Sequence, residues 1–462
     1  MRLSKITAGL LLASPAYLLA ADQAPTMEQL LDRIKDLEQQ VKVLSRNHEL
    51  EEEAKAEKSK TTPTVVLGSN GLEVRSADTN FTMRIHAHIQ ADGRFYPNNT
   101  STTDDTFLMR RVRPMIDGTL FSKLDYRLML DFGSGLTATP SNIGFVQEAY
   151  FNARLLPEFQ IQAGKMKEPV GLERLMSDVD YLFTERSYPT QLVPNRDVGV
   201  QVQGTFNEGL LTYAVGVFNG VTDGNSGDVD AGDDDKDIAA RVFAQPFLKT
   251  GIEPLQKLGV GLAGTYGHHG GPLRGYTSPG QQPIFNYYAG TGTNAVTAAD
   301  GNISRLAPQA YYYYGPFGLL AEYTISASDA TRNGGGVKPQ SKRLQHTAWQ
   351  VAGSYFLTGE ENGFKNPTPR KPVDFHGGGW GAWELVARIS GLKLDPDTFP
   401  TFADPKVNAS EAFSYGAGVN WHLNKNFKLT LDYEHTNFKG GAFNPILAQD
   451  EDVIMTRAQI SF

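Results

Sequence analysis

The side chains best suited to chemistry sit in residues 107–114, Phe-Leu-Met-Arg-Arg-Val-Arg-Pro. In an extended segment side chains alternate between two faces. Val112, Ile116 and Leu120 on one face then put Arg111 and Arg113 on the other, two residues apart. The next segment repeats the arrangement, with Tyr126, Leu128, Leu130 and Phe132 on the apolar face and Arg127 and Asp131 opposite. Arg84 and Arg241 fall on the polar faces of their own segments. Guanidinium groups keep their charge and offer several donors, so rows of them suit transient binding of hydrated anions. The same arginines could instead pair with Asp117, Asp125, Asp131 and Glu148 to stiffen a wall, and the sequence leaves both readings open. Arg110 has the wrong parity for the charged face and must either reach an interface or sit in a bulge.

Other constellations carry less. Asp228, Asp230, Asp233, Asp234, Asp235 and Asp237 miss the spacing of a calcium-binding loop and read as a solvated loop. His268 and His269 are adjacent but lack fixed partners for a metal. His86 and His88 share a face with Arg84 and would add positive charge below about pH 6.5. No nucleophile elbow, phosphate-binding loop or zinc helix is found, so neither enzymatic activity nor a cofactor or metal is expected. The formal charge of −8 argues against nucleic-acid partners. Zero cysteines exclude a disulfide scaffold and thiol chemistry.

The elements that must position these residues announce themselves by a period of two. In residues 81–91, Phe81, Met83, Ile85, Ala87 and Ile89 alternate with Arg84, His86, His88 and Gln90. The final run sets Ile454, Ala458, Ile460 and Phe462 against Arg457, Gln459 and Ser461. About sixteen such runs recur to the end of the chain, an even number as a bacterial membrane barrel requires. Short connections mostly alternate with long polar ones, as periplasmic turns and external loops would. Two turns on the periplasmic side, residues 245–257 and 358–381, break this rule by being long. A soluble sandwich also alternates but rarely needs sixteen strands. The expected fold is therefore all-β, a 16-stranded antiparallel transmembrane β-barrel over residues 65–462, preceded by a short N-terminal coiled-coil helix.

Upstream, Arg2, Lys5, the apolar run 6–19 and small Ala20 and Ala21 read as a secretory signal peptide over residues 1–21. In residues 22–64, Met27, Leu30, Ile34, Leu37, Val41 and Leu44 are spaced 3, 4, 3, 4, 3, a heptad seam. A short periplasmic coiled coil that reinforces an oligomer is one reading; a single helix lying on the barrel is the other.

Several motifs, taken in order, resemble the phosphate-selective porin O/P family. They are residues 107–114, Gln147-Glu148-Ala149-Tyr150, Gly164-Lys165-Met166-Lys167-Glu168-Pro169, Gly171-Leu172-Glu173-Arg174, Glu185-Arg186-Ser187, Asn195-Arg196-Asp197-Val198-Gly199, Arg241-Val242-Phe243 and Gly381-Ala382-Trp383-Glu384-Leu385. The resemblance implies a homotrimeric channel of the Gram-negative outer membrane, set in lipid and lipopolysaccharide. It would pass small anions, phosphate or polyphosphate among them, by passive diffusion. It also implies that the loop at about 166–197 folds inward as a constriction, bringing Lys167, Arg174, Arg186 and Arg196 toward the wall arginines. The strand at residues 237–244 presents only Arg241, where a ladder of arginines calls for several. A weakly selective or cation-preferring pore is therefore the alternative.

Overall fold

The computed structural model describes residues 26–59, 61–97, 104–133, 145–227, 234–290, 295–336, 338–444 and 446–462. The expected signal peptide and Asp228, Asp230 and Asp233 lie outside these. The described residues form two units, divided between Thr62 and Pro63. The first contains one helix, Met27–Ser59, which continues well past the heptad seam.

In the second unit, the described residues form an eighteen-stranded antiparallel sheet, of which two strands make a hairpin and sixteen a closed barrel. Closure is made by the last strand, Glu451–Ser461, pairing with Thr82–Phe95 in the register Ile454↔Phe95 to Ser461↔His88. Phe462 extends the ladder by exchanging two backbone hydrogen bonds with Ala87. The hairpin, Thr64–Gly68 and Gly71–Arg75, covers the edge of the Thr82–Phe95 strand below this point, with Leu72↔Ile85 through Arg75↔Thr82. It thus pairs backbone groups that the shorter final strand would leave open.

The burial pattern is inverted relative to a soluble protein. Val200, Val215, Val242, Leu262, Leu385, Ile389 and Leu431 are exposed, whereas Asp92, Arg94, Arg111, Glu322, Arg388 and Arg457 are buried. Apolar side chains that alternate outward need hydrocarbon around them, and the polar ones line the interior. Phe121, Phe159, Phe206, Tyr314, Phe317 and Tyr355, at or beside the short turns, are exposed as an aromatic rim. The turn Gly315-Pro316 shows why such connections can be so short. Tyr314 pairs directly with Phe317, and Gly315 adopts the φ of +52° that this reversal needs.

All sixteen alternating runs fall on barrel strands. One long connection is shorter than the loss of alternation suggests: strands Leu258–Pro272 and Val296–Tyr314 pair as far as Pro272↔Ala298, leaving residues 273–295 between them. Beyond the hydrocarbon a strand needs no apolar face, so its Gly, His and Asp residues gave no alternation to follow.

Candidate pore constriction

Two local irregularities aim the inner charges. Gln90 pairs with Arg111 and Ala91 with Met109, so Arg110 is the extra residue of a β-bulge. Below it the strand keeps Arg111 and Arg113 inward, and the bulge lets Arg110 turn inward too, where its Nε lies 2.5 Å from Glu185. A second bulge in Phe145–Leu156 pairs Met129 with Glu148 and Leu130 with Val146, and buries both Gln147 and Glu148.

Residues 168–195 fold into the barrel and are tied to inward side chains around much of its circumference. Glu322 accepts from the backbone N–H groups of Leu172 and Glu173 at 2.7 and 3.2 Å, and Asp432 from that of Thr184 at 2.7 Å. Lys428 donates to the carbonyls of Val179 and Tyr181, both at 3.0 Å, and Asn420 to that of Leu182 at 2.9 Å. Gln309 holds Val170 and Gln90 holds Asp178 in the same way. The long turn between strands Gln340–Phe356 and Ala382–Lys393 explains its length here. Its Asn366 donates its backbone N–H to the Asp180 carboxylate and its side-chain amide to the Val179 carbonyl, bracing the loop from the short-turn side.

Most of the wall arginines lie close to carboxylates. Arg113 lies 2.7 Å from Asp131 and 3.1 Å from Asp178 of the loop. Arg84 and Arg127 share Asp117 at 2.9 and 3.1 Å, and Arg127 and Arg196 share Glu148 at 3.5 and 2.9 Å. Arg94, Arg110 and Arg457 converge on Glu185 at 2.8, 2.5 and 3.8 Å. Arg111 donates to Gln90 at 2.7 Å, its nearest carboxylate being Asp178 at 3.9 Å. Arg241 has no carboxylate partner among the described residues; it donates to Gln309 at 3.0 Å and lies 4.6 Å over the Phe243 ring. Burial raises the carboxyls of Asp178 and Glu185, but the surrounding arginines outweigh it and hold both well below their ordinary values.

The loop's own cations are different. Lys167, at the loop's entry, donates only to the carbonyls of Leu175 and Met176. Arg174 donates to the carbonyl of Thr190, and Arg186 stacks 4.4 Å from the Tyr181 ring centre. Neither has a carboxylate partner among the described residues. Arg274, from the connection after Pro272, meets the Gly224 carbonyl and Asn225 side chain and has none either among the described residues. Arg174, Arg186 and Arg274 line one cavity of about 230 Å3, together with Arg110, Arg111, Arg113 and Arg196. The carboxylates in it, Asp131 and Glu185, are those already engaged. Burial first, then Arg274 and Arg196, pushes the Arg174 guanidinium down to about 9, and burial with Arg174, Arg111 and Arg196 depresses Arg186. A guanidinium keeps its charge in proteins, so both sit in a field of like charge that an anion would relieve.

The predicted residues therefore divide by position. Arg111, Arg113, Asp131, Arg174, Arg186 and Arg196 meet at this cavity. Arg84 and Arg127 line a separate space toward the short turns, with Glu73 and Arg75 of the hairpin, and Lys167 and Arg241 line another beneath the loop. Arg274 was missed by sequence reasoning because its segment has no alternation from which to read a direction. Asp178 was missed because nothing local marks it as the partner of Arg113, 65 residues away.

A family model described as phosphate-selective porin O and P matches residues 81–462. Porin O of Pseudomonas aeruginosa is 24% identical over 440 residues, covering 86% of this chain and 92% of its own length. The outer membrane channel DcaP of Acinetobacter baumannii has 10% identity and a TM-score of 0.53, over 84% of this chain and 99% of its own, a likeness of fold alone.

Proposed function

The chain belongs to the phosphate-selective porin O and P family, and from that premise we propose that Arg174, Arg186 and Arg274 form the anion-selecting centre of its pore. The protein is an outer-membrane porin that passes small anions by diffusion, a channel and not an enzyme. The observation that carries the proposal is the contrast in pairing: wall arginines such as Arg84, Arg113 and Arg127 are neutralised by carboxylates, whereas these three share one cavity uncompensated. At about 5 Å and an effective dielectric of about 20, each cation attracts a monovalent anion by on the order of 3 kcal/mol. Loss of hydration offsets much of that, which leaves occupancy brief enough for transport. Phosphate, with its several acceptor oxygens, matches the planar donors of arginine better than chloride does.

In this reading Arg111 and Arg196 add to the positive field, and Arg84, Arg113, Arg127 and Asp131 shape the wall. Lys167 and Arg241 receive the ion beneath the loop. The short turns and the hairpin face the periplasm, the apolar band meets outer-membrane lipid and lipopolysaccharide, and three copies assemble in the membrane. The test is block of chloride current by added phosphate in a planar bilayer. Arg186→Ala should raise the half-blocking concentration about ten-fold, the loss of one charge-assisted contact. An unchanged value would remove Arg186 from the binding centre.

A further inference from the structure

The helix Met27–Ser59 lies outside the residues matched by the family model, and its apolar seam is uncovered within its unit. Met27, Leu30, Ile34, Leu37, Val41 and Leu44 are each 42% exposed or more. With Met27, Ile34 and Val41 at heptad position a, the leucines at 30, 37 and 44 all occupy position d. The charges at the flanking positions specify how this seam is closed. Arg33 occupies position g and Glu38 position e of the following heptad, the two sites that meet across a parallel coiled coil. Antiparallel pairing would set g against g and e against e, so Arg33 and Glu38 would no longer face each other. The seam stops at Leu44, because His48 and Glu51 fall on the next a and d positions.

We propose that this segment is a self-recognition element: it packs in parallel and in register against the same helix of other copies of this chain, with Leu30, Leu37 and Leu44 in the seam and Arg33 facing Glu38 of its neighbour. Ile34 and Val41 at a with leucine at d are the pattern of a two-stranded coil, so a third strand would be imposed by the barrels rather than by the helix. At under three heptads the coil is too short to hold alone. It acts as a clamp on an assembly that the barrels also form. The proposal does not depend on which ion the pore prefers.

Absence of native cysteine makes the test direct. In full-length protein in outer-membrane preparations, Leu37→Cys at position d should form a disulfide-linked dimer on mild oxidation about five-fold more efficiently than Gln39→Cys on the outer face. On the Leu37→Cys background, Arg33→Glu should lower the yield and Arg33→Glu with Glu38→Arg should restore it. Equal cross-linking at 37 and 39, or no restoration by the charge swap, would overturn the proposal. The barrel's own assembly, read by its migration on unheated gels, is a separate readout that should survive in every variant.

Discussion

Arg113 and Arg186 are both arginines of the constriction, yet opposite consequences follow from replacing them. Arg113 is buried between Asp131 and Asp178, so Arg113→Ala leaves Asp131 without an ion pair among the described residues and takes from Asp178 its closest arginine. Breaking buried pairs in this way costs about 3–5 kcal/mol. The variant should therefore show a loosened loop, seen as a noisier single-channel current and a lower midpoint of heat unfolding in detergent. Arg186 has no carboxylate to release. Arg186→Gln should leave the unfolding midpoint unchanged while reducing anion preference. The loop's carboxylates also fix a pH dependence. Asp178 and Glu185 are held below their unfolded values, so their contribution is fully present above about pH 4.5 and is lost as pH falls through the lower folded values. The unfolding midpoint should accordingly not fall between pH 7 and pH 5, and should fall below about pH 4. A drop already at pH 5 would mean that these carboxylates are not paired in solution.

At the scale of elements, the strands were legible because lipid on one side and water on the other impose a period of two on every membrane-crossing run. That constraint ends where the hydrocarbon ends. Nothing in the sequence therefore told how far Val296–Tyr314 extends, nor that Arg274 turns toward the pore. Bulges hide for a related reason: the extra residue breaks parity, and Arg110 looks misplaced when it is the residue that the bulge admits. This yields a sharp expectation. Deleting Arg110 keeps Met109 opposite Ala91 and Arg111 opposite Gln90, so the variant should insert and fold, losing only one partner of Glu185. Deleting Val112 can be absorbed at the bulge only by setting Arg111 opposite Ile89, which turns its charge to the lipid face. That variant should fail to reach the outer membrane. Equal folding of both would show that the ladder does not have this register.

For the whole molecule, sequence alone read the architecture well and the electrostatics poorly. Sixteen alternating runs become sixteen barrel strands because each run carries its own evidence. Pairing of charges depends instead on residues far apart in the chain: Arg113 with Asp178, Arg388 with Glu434, Arg305 with Asp223. Over most of the wall acid and base balance in such pairs. The cations without a carboxylate partner gather most densely where residues 168–195 and the connection after Pro272 enter the lumen. Selectivity in this account is therefore a property of the folded-in loops, and the barrel is the frame that holds them. The most direct measurement is the zero-current potential of single pores under a potassium chloride gradient, for the native protein and for Arg174→Ala combined with Arg186→Ala and Arg274→Ala. Native pores should give a potential of anion sign, and the triple variant should lose most of it or reverse. A native potential of cation sign, or a triple variant that keeps the native value, would contradict the account.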